Sequence, residues 1–109
     1  MKPPSIAVAY ATLYPVMAES AREKGYALAL HGTMARDLDV VAVPWTDEAV
    51  SADDVVQHIA DSIYAYICGG STRTNLTPVV KPHGRLAWTF MLEGGASVDI
   101  SVMPRQITN

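Results

Sequence analysis

The sequence predicts an α/β domain of the α+β kind, in the order α-β-β-α-β-β, with a four-stranded, largely antiparallel sheet and the helices packed on it. Three observations lead there. Two stretches, 12–24 and 51–68, carry apolar residues at helical spacing. Each is followed by two short runs of strand composition. The connections inside each pair of runs are too short for a parallel crossover, so each pair folds back as an antiparallel hairpin.

Residues 1–11 read as a proline-containing lead-in. Thr12 is placed to cap the first helix, with Pro15 tolerated in its first turn and Gly25 as its stop. Leu13, Val16, Met17 and Ala21 supply the inward face. The run 26–31 (Tyr-Ala-Leu-Ala-Leu-His) is a strand, residues 32–36 a connection, and 37–43 a second strand ended by Pro44. Ser51, followed by Asp53 and Asp54, starts the second helix with a capping hydroxyl and two acids over the positive end of the dipole. Val55, Val56, Ile59, Ile63 and Ile67 keep its spacing until Gly69-Gly70. A long irregular stretch, 69–85, precedes a strand at 86–92, a turn at 93–96 and a last strand at 97–103 ended by Pro104. Asp39 and Pro44 match Asp99 and Pro104 in placement, as an internal duplication would leave them.

The chain has 109 residues, enough for one domain and one core. Half the residues are apolar and 17% are charged, which excludes a disordered chain. A net charge of −3 gives no strong nucleic-acid signal, because domains that grip phosphate backbones carry an excess of Lys and Arg. Cys68 is the only cysteine, so no internal disulfide forms, and its place on an apolar helix predicts a buried, inert thiol. The apolar run 6–17 is accompanied by Pro3, Pro4 and Pro15 and lacks a clean cleavage site, and no run is long enough to span a bilayer. A cytoplasmic protein with no membrane partner is expected. Trp88 and Phe90 are expected in the core, Trp45 over its edge, and Met17, Met91 and Met103 as packing residues.

Chemistry concentrates at Arg36-Asp37-Leu38-Asp39. Alternation along a strand sends Asp37 and Asp39 to one face, with Cα atoms roughly 6.5–7 Å apart, close enough to reach one divalent cation. Asp99, between Val98 and Ile100, joins them if the two hairpins are adjacent. Acids in mid-strand are disfavoured and costly to bury unless paired or bound to metal, and hard oxygen ligands suit Mg²⁺ or Mn²⁺. Asp37, Asp39 and Asp99 are therefore the candidate metal and catalytic residues. Gly32 and Thr33 are placed to approach a phosphate. The stretch 69–85 holds Arg73, Lys81, His83 and Arg85 and no acid, so Arg36, Lys81, His83 and Arg85 are candidate substrate-binding groups for a metal–polyphosphate. Ordinary structural roles are the alternative: an Asp37 pair with Arg36 or Arg85, Asp39 on a solvated face and a flexible loop.

The run from His31 to Trp45 (His-Gly-Thr-Met-Ala-Arg-Asp-Leu-Asp-Val-Val-Ala-Val-Pro-Trp), with Lys81-Pro-His-Gly-Arg85 and Val98-Asp-Ile-Ser-Val-Met-Pro-Arg105, resembles a family of small uncharacterised bacteriophage and prophage proteins. More remotely, the pattern is similar to the nucleotidyltransferase superfamily of DNA polymerase β, in which a Gly-Ser turn, an Asp-x-Asp strand and a third strand acid follow in order. That resemblance implies a nucleotidyltransferase-like fold, with Gly32-Thr33 at phosphate and Asp37, Asp39 and Asp99 at metal. The sequence departs from the superfamily in having Thr33 for the usual Ser and only four residues between Gly32 and Asp37, where a short helix normally stands. The expected function is a minimal nucleotidyltransferase-like domain that binds a nucleoside triphosphate through Mg²⁺ or Mn²⁺. A metal-dependent phosphohydrolase would use the same residues. The alternative from another class is a non-catalytic phage or prophage accessory protein that binds a protein partner.

Overall fold

The computed structural model describes residues 4–32, 34, 37–68, 78–92 and 97–105, without the side chains of residues 4–7, 68 and 90. The expectations for Thr33, Arg36, the stretch 69–77, the turn at 93–96 and the side chains of Cys68 and Phe90 lie outside the described residues.

Helix α1 covers Pro4–Glu23, strand β1 Tyr26–His31, strand β2 Leu38–Pro44 and helix α2 Ala52–Cys68. Strands β3 (Val79–Val80), β4 (Leu86–Met91) and β5 (Ser97–Val102) follow, with a 3₁₀ turn at Pro82–Gly84 between β3 and β4. The sheet has five strands in the order β1-β2-β5-β4-β3. Four strands were expected; the fifth is a two-residue edge strand cut from the stretch read as irregular, too short to show any alternation. Both hairpin pairings are antiparallel, as is β3 on β4, but β2 and β5 meet in parallel, so the sheet is mixed. Among the described residues no helix is long and apolar enough to cross a membrane.

Helix α1 begins at Pro4, well before the expected cap at Thr12. Proline is favoured at a helix start, where its missing N–H has no partner to lose. Thr12 sits within the helix and its hydroxyl donates back to the Val8 carbonyl at 3.0 Å. Pro15 is likewise internal, and the loss of one helical hydrogen bond there is offset by burial of Tyr10, Leu13, Met17 and Ala21 around it. Gly25 ends the turn at φ +87°, and a Cβ there would lie 2.6 Å from the Ala49 Cα, so only glycine lets α1 close onto the loop after β2. Helix α2 starts as its sequence demands: Ser51 Oγ accepts from the Asp54 N–H at 3.2 Å.

Both helices cover one face of the sheet. Val55, Val56, Ile59 and Ile63 of α2 and the inward residues of α1 pack on Leu28, Leu38, Val40, Ala42, Trp88, Val98, Ile100 and Val102, all buried. The helices are tied to each other by Ser62 Oγ donating to Ser20 Oγ at 2.9 Å and by a contact of 2.8 Å between His58 and Glu23. Two apolar residues depart from their expected roles. Trp45, 69% exposed, does not cover the core edge, and Met91, 63% exposed, does not pack. Strand alternation turns Met91 to the side opposite Trp88, and among the described residues that side carries no helix.

Candidate functional site

The open face of the sheet is where the acids meet. Along β2 the residues Leu38, Val40 and Ala42 are buried while Asp39 and Val41 are half-buried; along β5 Val98, Ile100 and Val102 are buried while Asp99 and Ser101 are half-buried. Asp39 and Asp99 thus follow the alternation of their strands away from the helices. Register then lines them up. His31 stands opposite Asp39, Asp39 beside Asp99, and Asp99 opposite Thr89. One polar rung crosses four strands.

Around the rung lies a cleft of about 350 Å³, lined among others by His31, Asp39, Lys81, Arg85, Thr89 and Asp99. The 3₁₀ turn that brings Lys81 and Arg85 here is closed by the Lys81 N–H donating to the Arg85 carbonyl at 2.8 Å. It also needs φ +68° at His83 and +75° at Gly84. Within the cleft Asp39 and Asp99 stand side by side across the parallel β2–β5 pair. The Asp39 pKa is pushed up by burial first, then by Asp99 as a hydrogen-bonding and charged neighbour and by the charge of Asp37, against an opposing effect of His31. Thr89 Oγ1 donates to Asp99 Oδ1 at 2.5 Å and orients it. Neither Asp39 nor Asp99 has an ion-pair partner among the described residues. Nearby, Arg85 Nε is buried without a hydrogen-bond partner among them.

Asp37 precedes β2 and keeps within electrostatic range of Asp39, while its Oδ1 accepts from the Ser97 hydroxyl at 2.5 Å. Among the described residues no group of three or more His, Cys, Asp or Glu side chains is arranged to hold a metal ion. The acids that do meet are Asp39 and Asp99, two hard oxygen donors of the type that divalent cations take. Gly32 borders them at φ +83°, and a Cβ at this position would stand 3.4 Å from Asp39 Oδ2. His83 points elsewhere. It lines an adjoining cleft of about 630 Å³ with Val43, Trp45, Met103 and Arg105, at the far end of β2 and β5.

Thr89 and Ser97 escaped the sequence reading. Threonine is ordinary in a strand, and only the register of the β4–β5 hairpin reveals that Thr89 faces an acid. Ser97 opens its strand, where a serine carries no signal by itself. In comparison with protein-family models and with curated proteins, the chain matches none.

Proposed function

We propose that the open sheet face binds a nucleoside triphosphate together with Mg²⁺ or Mn²⁺, as a minimal nucleotidyltransferase-like domain. The observation that carries this reading is the Asp39–Asp99 pair, two neighbouring carboxyl groups without an ion-pair partner among the described residues, in a cleft that also holds Lys81 and Arg85. Like charges this close repel, which is part of what raises the Asp39 pKa, and a divalent ion would relieve that repulsion by satisfying both carboxylates at once. Asp39 and Asp99 are the metal ligands, and Asp37 adds negative charge beside them. The bound ion supplies charge neutralisation of the phosphate oxygens. Lys81 and Arg85 do the same from the other wall, the free Arg85 Nε being a donor that a phosphate oxygen satisfies. Gly32 keeps the approach to Asp39 open.

The reaction proposed for the site is attack of an acceptor hydroxyl on the α-phosphorus, which forms the new phosphoester bond and breaks the α–β phosphoanhydride bond, with pyrophosphate leaving and the hydroxyl proton passing to solvent. Water as the acceptor would make the domain a phosphohydrolase, and product analysis separates the two. The binding step is tested by thermal unfolding of wild type and Asp39→Asn with Mg²⁺ or Mn²⁺ and each nucleoside triphosphate. The expected result is a rise in Tm for wild type that requires cation and nucleotide together, and none for Asp39→Asn. Equal responses would remove the reading.

A second reading, an accessory domain that binds a protein partner, draws on the exposed apolar edge strand of Val79 and Val80. It expects partner capture that survives Asp39→Asn and no response to the cation.

A further inference from the structure

We infer that the nucleobase of the bound nucleotide stacks on Trp45, in the larger cleft at the ends of β2 and β5. This deepens the metal–nucleotide reading and rests on it. The two clefts follow one another along β2 and β5. Along β2 the open-face residues run Asp39, Val41, Val43, and along β5 Asp99, Ser101, Met103; the first two of each series line the carboxylate cleft and the third lines the Trp45 cleft. From Asp39 to Val43 the strand advances roughly 13 Å at about 3.3 Å per residue. That span is comparable with the reach of an extended nucleoside triphosphate from its terminal phosphate to its base. The phosphates lie over the acids, Lys81 and Arg85, and the sugar over Val41 and Ser101. The base then arrives at the indole.

Trp45 suits the role. It is 69% exposed, whereas the other tryptophan, Trp88, is buried in the core. An exposed indole beside Val43 and Met103 offers a flat apolar surface to any base, because every base has a π-face. Its position is fixed from below rather than by the core. The Trp45 backbone N–H donates to the Gly25 carbonyl at 3.1 Å, and the Arg105 guanidinium donates to the Asp47 carbonyl at 2.9 Å and to the Ala49 carbonyl. Arg105 is thereby engaged in holding the loop, which leaves Thr46, Asp47 and His83 as the other polar residues of the lining.

The experiment compares two probes, each with Mg²⁺: inorganic tripolyphosphate, which fills only the carboxylate cleft, and each of the four common nucleoside triphosphates. Dissociation constants are measured by calorimetry for wild type, Trp45→Ala, Trp45→Phe and Asp39→Asn. For at least one nucleotide, wild type binds roughly ten-fold tighter than it binds tripolyphosphate, the size of one base–aromatic stack. Trp45→Ala loses that advantage and leaves tripolyphosphate binding unchanged, Trp45→Phe restores most of it, and the nucleotide quenches Trp45 fluorescence. If tripolyphosphate binds and depends on Asp39, but nucleotides bind no tighter or Trp45→Ala binds them as wild type does, the base site is refuted and the metal–phosphate reading stands. Should tripolyphosphate fail to bind, or bind Asp39→Asn equally well, the metal–phosphate reading falls and takes the base site with it.

Discussion

The two faces of this sheet are made from the same strands and have opposite characters. On the covered face Leu38, Val40, Val98 and Ile100 are almost wholly buried beneath two helices. On the open face the residues between them, Asp39 and Asp99, meet side by side with Thr89 holding one of them in place. The covered face is where burial stabilises the fold, on the order of 1.5–3 kcal/mol for each large apolar side chain. The open face works against the fold, because gathered carboxylates repel and one of them must be partly desolvated. Stability and chemistry are thus separated by a single peptide step along each strand.

Substitutions on the two faces should differ in size and in sign. The largest effect is expected from Ile100→Ala, which empties a fully buried site and should lower stability by about 2–5 kcal/mol in denaturant unfolding. Its neighbour Ser101→Ala, on the open face, should change stability by less than about 0.5 kcal/mol. Comparable losses at the two positions would mean that the open face is packed against something.

A smaller effect of opposite sign is expected at Asp39. Its folded-state pKa is raised above the unfolded value, chiefly by burial and by Asp99, so folding takes up a proton there. That contribution is complete below the unfolded pKa and is lost as pH rises through the folded one. At neutral pH the charged Asp39 therefore opposes folding. Asp39→Asn should raise Tm by a few degrees at pH 7, and the gain should disappear below the unfolded pKa of an aspartate, about 4. Thermal scans of both proteins across that range provide the check; a lower Tm for the variant at pH 7 would show that Asp39 has a structural partner.

The sequence made the covered face legible because burial leaves a period. Alternation in β2 and β5 and the helical spacing of Val55, Val56, Ile59 and Ile63 are direct consequences of one-sided packing. It also made the acids conspicuous, since aspartate in mid-strand needs an explanation. The parallel alignment of β2 with β5 was harder to read. The matched spacing of Asp39 with Pro44 and of Asp99 with Pro104 suggested only a duplication, whereas the structure pairs Asp39 with Asp99 in parallel. What the sequence hid was non-local: the Thr89 bond depends on hairpin register, and the exposure of Trp45 depends on Arg105 and Gly25 holding its loop. The early start of α1 was masked by Pro15, a residue that ends most helices and is accommodated here by the packing around it.

The pairing of Asp39 with Asp99 is tested most directly by Mn²⁺ binding followed by electron paramagnetic resonance in the presence of tripolyphosphate, for wild type and for Asp99→Asn. Wild type should hold the ion, with affinity falling as acidification protonates Asp39, and Asp99→Asn should release it while remaining folded. Unchanged Mn²⁺ affinity in a folded Asp99→Asn protein would contradict a cation held between the two strands.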